Sequence, residues 1–306
     1  MSGTVAYFGN RFLPTDEVRL SLADAGIVFG ATVTDFCRTF DRRWFRLEDH
    51  LDRFRADCQT CFVKLDKSRQ QLVEVAETLL ERNGSLLTPG AEMALVTFAT
   101  PGPIGNYLGH PGTLGPPTLV MHTFPLNLVR YRPFFVEGVS LAIVGTHVAS
   151  PDDLLPASAK HRSRLHWWRA DHLIQQRKDL PTGTLPLLVE PGSGNLTETA
   201  IGNFLLVVEG VVQTPPVGSV LDGIGLRVTR SLCHRLGIPM VNKPLKLEDL
   251  DQATEAMLTG TAFGLAGVSF LERKKFHFPG PVTQDLQKAW NREVGLNIRE
   301  QFLQSS

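Results

Sequence analysis

The spacing of apolar and polar positions predicts two successive α+β halves. Val5-Ala-Tyr-Phe8 and Arg11-Phe-Leu13 flank a Gly9-Asn10 turn, and Thr34 to Phe40 reads as a strand closed by Asp41-Arg-Arg43 before Trp44-Phe45. A helix is expected from Leu47 to Phe62, with Glu48 and Asp49 in its first turn, and a second from Arg69 to Asn83, with the stripe Leu72, Ala76, Leu79 and Leu80 and Gly84 as its stop. Strands at Met93–Phe98 and Thr118–Thr123 border a Gly- and Pro-rich stretch from Pro101 to Pro117. The pattern then lapses through residues 126–136, which read as an interdomain connection. It restarts with the strand Val139–Val144, an irregular loop through Pro151 and Pro156, and a helix from Lys160 to Arg177 carrying Leu165, Trp168, His172 and Leu173 on one side. Strands are expected at Thr184–Glu190, Phe204–Val208 and Val211–Gln213, then a helix from Gly223 to Arg235. Glu255 to Leu271 reads as a helix end running into a strand, and Thr283 to Gln304 as one helix with Leu286, Trp290, Val294, Ile298 and Phe302 four apart. The domains so drawn are a small one over 1–125 and a larger one over 137–306.

Composition narrows the class of protein. The 306 residues carry 31 Lys+Arg against 31 Asp+Glu and are 42% hydrophobic. That is too apolar for a disordered chain and too evenly charged for a protein that grips nucleic acid by its phosphates. No basic and then apolar leader opens the sequence, and the longest apolar runs, such as Phe204–Val208, are of strand length, so a cytoplasmic protein without a membrane segment is expected. Among the four cysteines, Cys58 and Cys61 form a C-x-x-C, the pattern of a redox motif or half a zinc site. They continue the stripe Leu47, Leu51, Phe54, and no second ligand pair follows, so they read as core thiols and no metal is expected.

Two segments could carry chemistry. Gly223-Ile224-Gly225 opens a helix, where unpaired N–H groups can either receive a phosphate or be plainly capped. It lacks the third glycine and the lead-in strand of a dinucleotide fingerprint, which disfavours NAD. Lys160 stands at a loop-to-helix junction among aromatics; desolvated it would be a Schiff-base nucleophile, solvated an ordinary surface lysine. His161 and His166 are further acid/base candidates.

The order of segments changes the weight of each. Leu47-Glu-Asp-His-Leu-Asp-Arg-Phe54 precedes Lys160-His-x-x-Arg-Leu165 and Glu198-x-x-x-x-Asn203-Phe204; Thr214-Pro-Pro216, Val220-Leu-Asp-Gly-Ile224 and Leu258-Thr-Gly-Thr-Ala262 follow. In this order and spacing, and with the opening Leu20–Gly30 segment, nearly the whole chain resembles the class IV, fold-type IV pyridoxal phosphate enzymes. These comprise branched-chain and D-amino-acid aminotransferases, R-selective amine transaminases and aminodeoxychorismate lyase. The resemblance implies a two-domain α+β fold: a small α/β sandwich domain and a larger pseudo-barrel domain. It implies pyridoxal 5'-phosphate as cofactor, Lys160 as the catalytic residue that holds it as an internal aldimine, and Glu198 facing its ring nitrogen, where a carboxylate preserves the electron sink. It further implies phosphate binding by Arg53, by the backbone of Ile224 and Gly225 and by Thr261, and a substrate contact from the Ala262 N–H.

Departures from the family pattern bear on substrate. Gly225 stands where many branched-chain enzymes have threonine, Leu165 where they have tyrosine, and Val96-Thr-Phe98 where related chains carry a carboxylate-binding arginine. Arg38, Arg130 or Arg132 could substitute, and Phe36, Phe98, Tyr107, Trp167 and Trp168 could supply apolar walls. The resemblance implies an aminotransferase acting on an amino acid or amine and a 2-oxo acid, with an aminodeoxychorismate lyase-type elimination and a non-catalytic cofactor-binding homologue as alternatives. It also implies a homodimer.

Overall fold

Strand alternation in the first part of the chain resolves into one antiparallel sheet with helices on a single face. The computed structural model describes residues 3–112, 115–145, 155–190 and 192–305; part of the irregular loop expected through Pro151 lies outside them. Two compact units form, Met1–Leu126 with Ala159–Ser163, and Asn127–Ser158 with Arg164–Ser306.

The first unit holds β1 (Val5–Phe8), β2 (Arg11–Pro14), β3 (Val33–Phe40), β4 (Arg43–Trp44), β5 (Met93–Thr100) and β6 (Thr118–Pro125), in the order β2-β1-β6-β5-β3-β4. Tyr7, Val33, Cys37, Leu95, Ala99 and Met121 pack with Leu51, Phe54, Leu72, Ala76 and Leu79 of the helices Leu47–Thr60 and Arg69–Gly84. Because strand side chains alternate, Phe36, Val96, Phe98 and Val120 gather in a separate cluster with Phe8 and Phe124. The second helix starts at a capping box in which Ser68 and Gln71 satisfy each other's backbone donors. The first stops at Thr60, two residues before the expected end, because Phe62 adopts φ 56° and leaves the core. Cys58 sits in that core with its thiol pushed up to about 12 by burial, which suits a packing residue.

The second unit holds β7 (Val139–Gly145), β8 (Leu185–Val189), β9 (Leu196–Thr199), β10 (Gly202–Val208), β11 (Val211–Thr214), β12 (Met240–Asn242), β13 (Glu255–Gly260), β14 (Gly264–Leu271) and β15 (Lys274–Lys275). The path runs β12-β11-β10-β13-β14-β7-β8-β9, with β15 on β14, and β9 pairs β10 as well. That extra pairing closes β9-β10-β13-β14-β7-β8 into a barrel-like ring, which removes the free edges an open sheet would present.

Several elements differ from the sequence expectation. The helix expected from Lys160 begins only at Leu165 and runs to Gln175, because the backbone of residues 160–162 is taken by strand-like pairing with Thr32–Thr34. Its buried side is Ala170 and Ile174, packed with Ala142, Val144 and Leu188, whereas Leu165 and Trp168 are 71% and 64% exposed. Small residues let the helix lie close on the sheet, and Trp168 stacks at the surface on His172, 4.3 Å between ring centres. Residues 129–136, expected as a connection, form helical turns whose Tyr131, Phe134 and Phe135 rings pack around Phe263 and Phe302. The single C-terminal helix is two, Pro281–Val294 and Ile298–Gln304, separated by Gly295 at φ 77° and capped anew by Asn297. Its apolar stripe stays buried across the break.

Glu255 opens a strand rather than closing a helix. All six residues of β13 are buried between β10 and β14, a setting in which a short apolar run carries no helix-versus-strand signal of its own. The Glu255 carboxylate accepts from the Val282 N–H at 2.9 Å, the Thr283 N–H at 2.8 Å and the Thr283 hydroxyl at 2.7 Å, and so caps the helix Pro281–Val294. Replacing Glu255 by Ala is expected to cost about 3 kcal/mol in urea denaturation, since it strands buried donors of a charge-assisted set.

Candidate active site

Lys160 is held by its own peptide groups. Its N–H donates to Asp57 Oδ2 at 3.0 Å, and its carbonyl accepts from the Thr34 N–H at 2.9 Å. The Arg162 N–H donates to the Thr32 carbonyl at 2.8 Å, and the Ser163 hydroxyl to the Gly30 carbonyl at 2.6 Å, so the whole 160–163 stretch is laid along the start of β3. Arg53 projects from the helix Leu47–Thr60 one turn before Asp57 and is buried. Its Nε and Nη2 donate to Asp35 Oδ2 at 2.9 and 2.6 Å, and His50 Nδ1 donates to Asp35 Oδ1 at 2.6 Å. Burial works to raise the Asp35 carboxyl, but Arg53 and His50 outweigh it and hold the group at about 2. Burial pushes the His50 imidazole below its ordinary value, which keeps it neutral and its Nδ1–H a donor.

Glu198 lies on β9, the strand that closes the ring. Its Oε2 accepts from the Asn203 amide at 2.9 Å and its Oε1 from the Leu221 N–H at 3.1 Å; the same Asn203 amide donates to the Leu221 carbonyl. These two donors orient the carboxylate. Leu221 leads directly to Gly223, the N-cap of the helix Ile224–Leu236. A Cβ at Gly223 would overlap Asn203 Oδ1, and one at Gly225 would lie 2.9 Å from Thr259 Oγ1 and 3.0 Å from the Gly260 N. Only glycine lets the helix start approach so near the turn that carries Thr261 and Ala262. Thr229 and Thr259 bind each other and the carbonyls of Gly225 and Gly264, which locks this approach from behind.

The expected residues thus fall into two clusters: Lys160 and Arg53 in the first unit, and Glu198, Ile224, Gly225, Thr261 and Ala262 in the second. Of the substrate candidates, Phe36 and Phe98 pack together in the satellite cluster of the first sheet. Arg162 lies with its guanidinium 4.6 Å above the Phe98 ring. Arg38 is wholly buried, with its guanidinium 3.8 Å above the Phe40 ring and its Nε donating to the Thr39 carbonyl. Arg130 and Arg132 are exposed, Arg130 beside Tyr131 and in the field of Asp171. Tyr107 and Trp168 are also exposed, and Trp167 packs against the Ala142 and Ile174 cluster. Asp35, His50 and Asp57 were not anticipated. The one local signal is that all three, with Arg53, are polar residues within the strand and the helix that the apolar pattern predicts.

Each unit offers groups suited to a phosphorylated pyridine aldehyde: the first an amine and a buried guanidinium, the second a carboxylate and a glycine-opened helix start beside a threonine. The sequence profile of the amino-transferase class IV family matches residues 32–270. A putative branched-chain-amino-acid aminotransferase of Methanocaldococcus jannaschii is 26% identical over 97% of this chain and 94% of its own. A D-alanine aminotransferase of Staphylococcus epidermidis is 21% identical over 95% of this chain and 98% of its own. The crystal structure of an aminotransferase from Brucella abortus bound to the cofactor PLP superposes with a TM-score of 0.79 at 18% identity, covering 95% of this chain and 99% of that one.

Asp35→Asn leaves the buried Arg53 without its counter-ion and is expected to lower stability by about 3 kcal/mol in urea. Because the folded-state pKa of Asp35 is depressed to about 2, its contribution is present above about pH 4 and lost as pH falls through 2. The variant should therefore lack part of the wild-type acid limb when melting is followed between those values.

Proposed function

We propose the following division of roles for a chain that belongs to the class IV amino-transferase family. The protein is a pyridoxal phosphate-dependent transaminase that moves an amino group between an amino acid and a 2-oxo acid. When bound, the cofactor supplies a carbonyl that captures amines and a pyridinium ring that draws electrons from the adjacent carbon. Lys160 Nζ holds the cofactor between turnovers, then takes the proton from the substrate α-carbon and returns it one position along. Glu198 keeps a proton on the ring nitrogen. Arg53, the N–H groups of Ile224 and Gly225 and the Thr261 hydroxyl hold the phosphate. The Ala262 N–H and Arg130 receive the substrate carboxylate, and Phe36 and Phe98 face its side chain.

The observation that carries this reading is the fixed peptide of Lys160, clamped between Asp57 and Thr34 within the same cluster as the buried Arg53. A catalytic amine needs its main chain held so that only the side chain moves. The same reading includes a small and a larger domain, divided near residues 126–136. It also includes a homodimer, supported by the exposed apolar side chains Leu22, Ile27 and Phe29 of the first unit. A cytoplasmic location is part of it too, and the four free cysteines, three of them buried, suit a reducing compartment.

Borohydride reduction of the loaded enzyme should attach the cofactor to the Lys160 peptide, and Lys160→Ala should lose both the label and amino-acid-dependent conversion of 2-oxo acid. Label retained at another lysine in that variant would overturn the assignment, and product release by elimination without consumption of a 2-oxo acid would turn the activity into a lyase. Glu198→Gln is expected to lower kcat about 100-fold or more. Light scattering after gel filtration should give twice the chain mass of 33.8 kDa.

A further inference from the structure

None of these roles uses Asp57, a buried acid that touches the lysine itself. Asp57 is 7% exposed, and its Oδ2 accepts the Lys160 N–H at 3.0 Å while Thr34 holds the Lys160 carbonyl from the other side. It stands one helical turn after Arg53, so guanidinium and carboxylate project from the same face of the helix Leu47–Thr60. The ionisable groups around it are unequal. On its own helix, Arg53 is already matched to Asp35, and the Cys58 and Cys61 thiols are pushed up by burial and stay neutral. From β3 comes the charge of Asp35, whose other partner His50 is neutral, and from the 159–163 segment comes Lys160. Burial raises the Asp57 carboxyl to about 6, against the pull of the Lys160 N–H and Arg53 and with the push of Asp35.

Resting on the assignment of Lys160 as the cofactor lysine, we propose that Asp57 is its positioning residue: it clamps the lysine's peptide and sets, by its own charge, how tightly Lys160 Nζ holds a proton. Above about pH 6 Asp57 is a carboxylate, an anion that favours the ammonium form of Lys160. Below that it is a neutral acid and the lysine loses this support. The acid sits there at a cost to folding. A carboxyl raised from 3.8 to about 6 stabilises the fold fully below about pH 4 and loses that contribution as pH rises through 6. A neutral isostere is therefore compatible with a folded chain.

Asp57→Asn keeps an oxygen that can accept the Lys160 N–H and removes the charge; Asp57→Ala removes both. In the cofactor-free protein, the rate at which an amine-directed reagent modifies Lys160, read by peptide mass against pH, reports the lysine's proton affinity directly. Asp57→Asn should lower that midpoint by about half a unit or more, shift the acid limb of the kcat/KM profile in the same direction, and leave KM near the wild-type value. It should also resist urea better than wild type at pH 8 and equally at pH 4. Asp57→Ala should in addition lose about tenfold or more in kcat. An unmoved Lys160 midpoint in a folded Asp57→Asn protein whose Lys160 still traps the cofactor with borohydride would overturn the proposal and leave the lysine assignment standing. Failure of wild-type Lys160 to trap the cofactor would instead overturn the assignment on which it rests.

Discussion

The buried carboxylate of Asp35, shared between Arg53 and His50, is the constraint from which the lysine site is built. A charge enclosed at this depth is tolerated only with a partner in place, so the pair fixes where the helix Leu47–Thr60 lies against β3. A one-residue slip of β3 would turn Asp35 to the face of Phe36 and leave Arg53 unmatched inside the core. With the helix set, Asp57 follows one turn beyond Arg53 and meets the peptide of Lys160. Arg53 and the Lys160 peptide are thereby both referred to one helix, Arg53 through Asp35 and Lys160 through Asp57, although their positions are 107 residues apart in the sequence.

The second unit orients a carboxylate of its own. Glu198 accepts from an amide and a backbone N–H, which orient its carboxylate. Its strand, β9, is the one that pairs on both sides to close the ring, so this carboxylate sits at the point where the barrel is completed. The helix at Ile224 is brought up by glycines whose missing side chains allow contact with Asn203 and Gly260. Thr229, Thr259 and Trp290 then tie that contact to the ring and to the C-terminal helix.

The resemblance to both a branched-chain and a D-alanine aminotransferase is a reminder that this scaffold carries more than one substrate preference. Cofactor chemistry calls on the residues that keep their order and spacing. The structure gathers Phe36 and Phe98 into one aromatic cluster with the Arg162 guanidinium above the Phe98 ring.

Local periodicity carried a great deal. The stripe from Leu286 to Phe302, the helix from Leu47 and the glycine-opened helix at Ile224 are all written in residues a few positions apart. So are the identities of Lys160, Arg53 and Glu198 as candidates, because amine, guanidinium and carboxylate announce their chemistry by type and order. The conformation around Lys160 was not legible, since the partners that hold it extended are Thr32, Thr34 and Asp57, more than 100 positions away. Glu255–Gly260 read as a helix end for the same reason: its strand character comes from β10 and β14 on either side. Asp35 and Asp57 are ordinary acids until folding removes their water and leaves each with a particular partner. Side-chain type and short-range spacing settle what a residue can do; the burial and long-range hydrogen bonding that exist only in the folded chain settle which of them is held in place to do it.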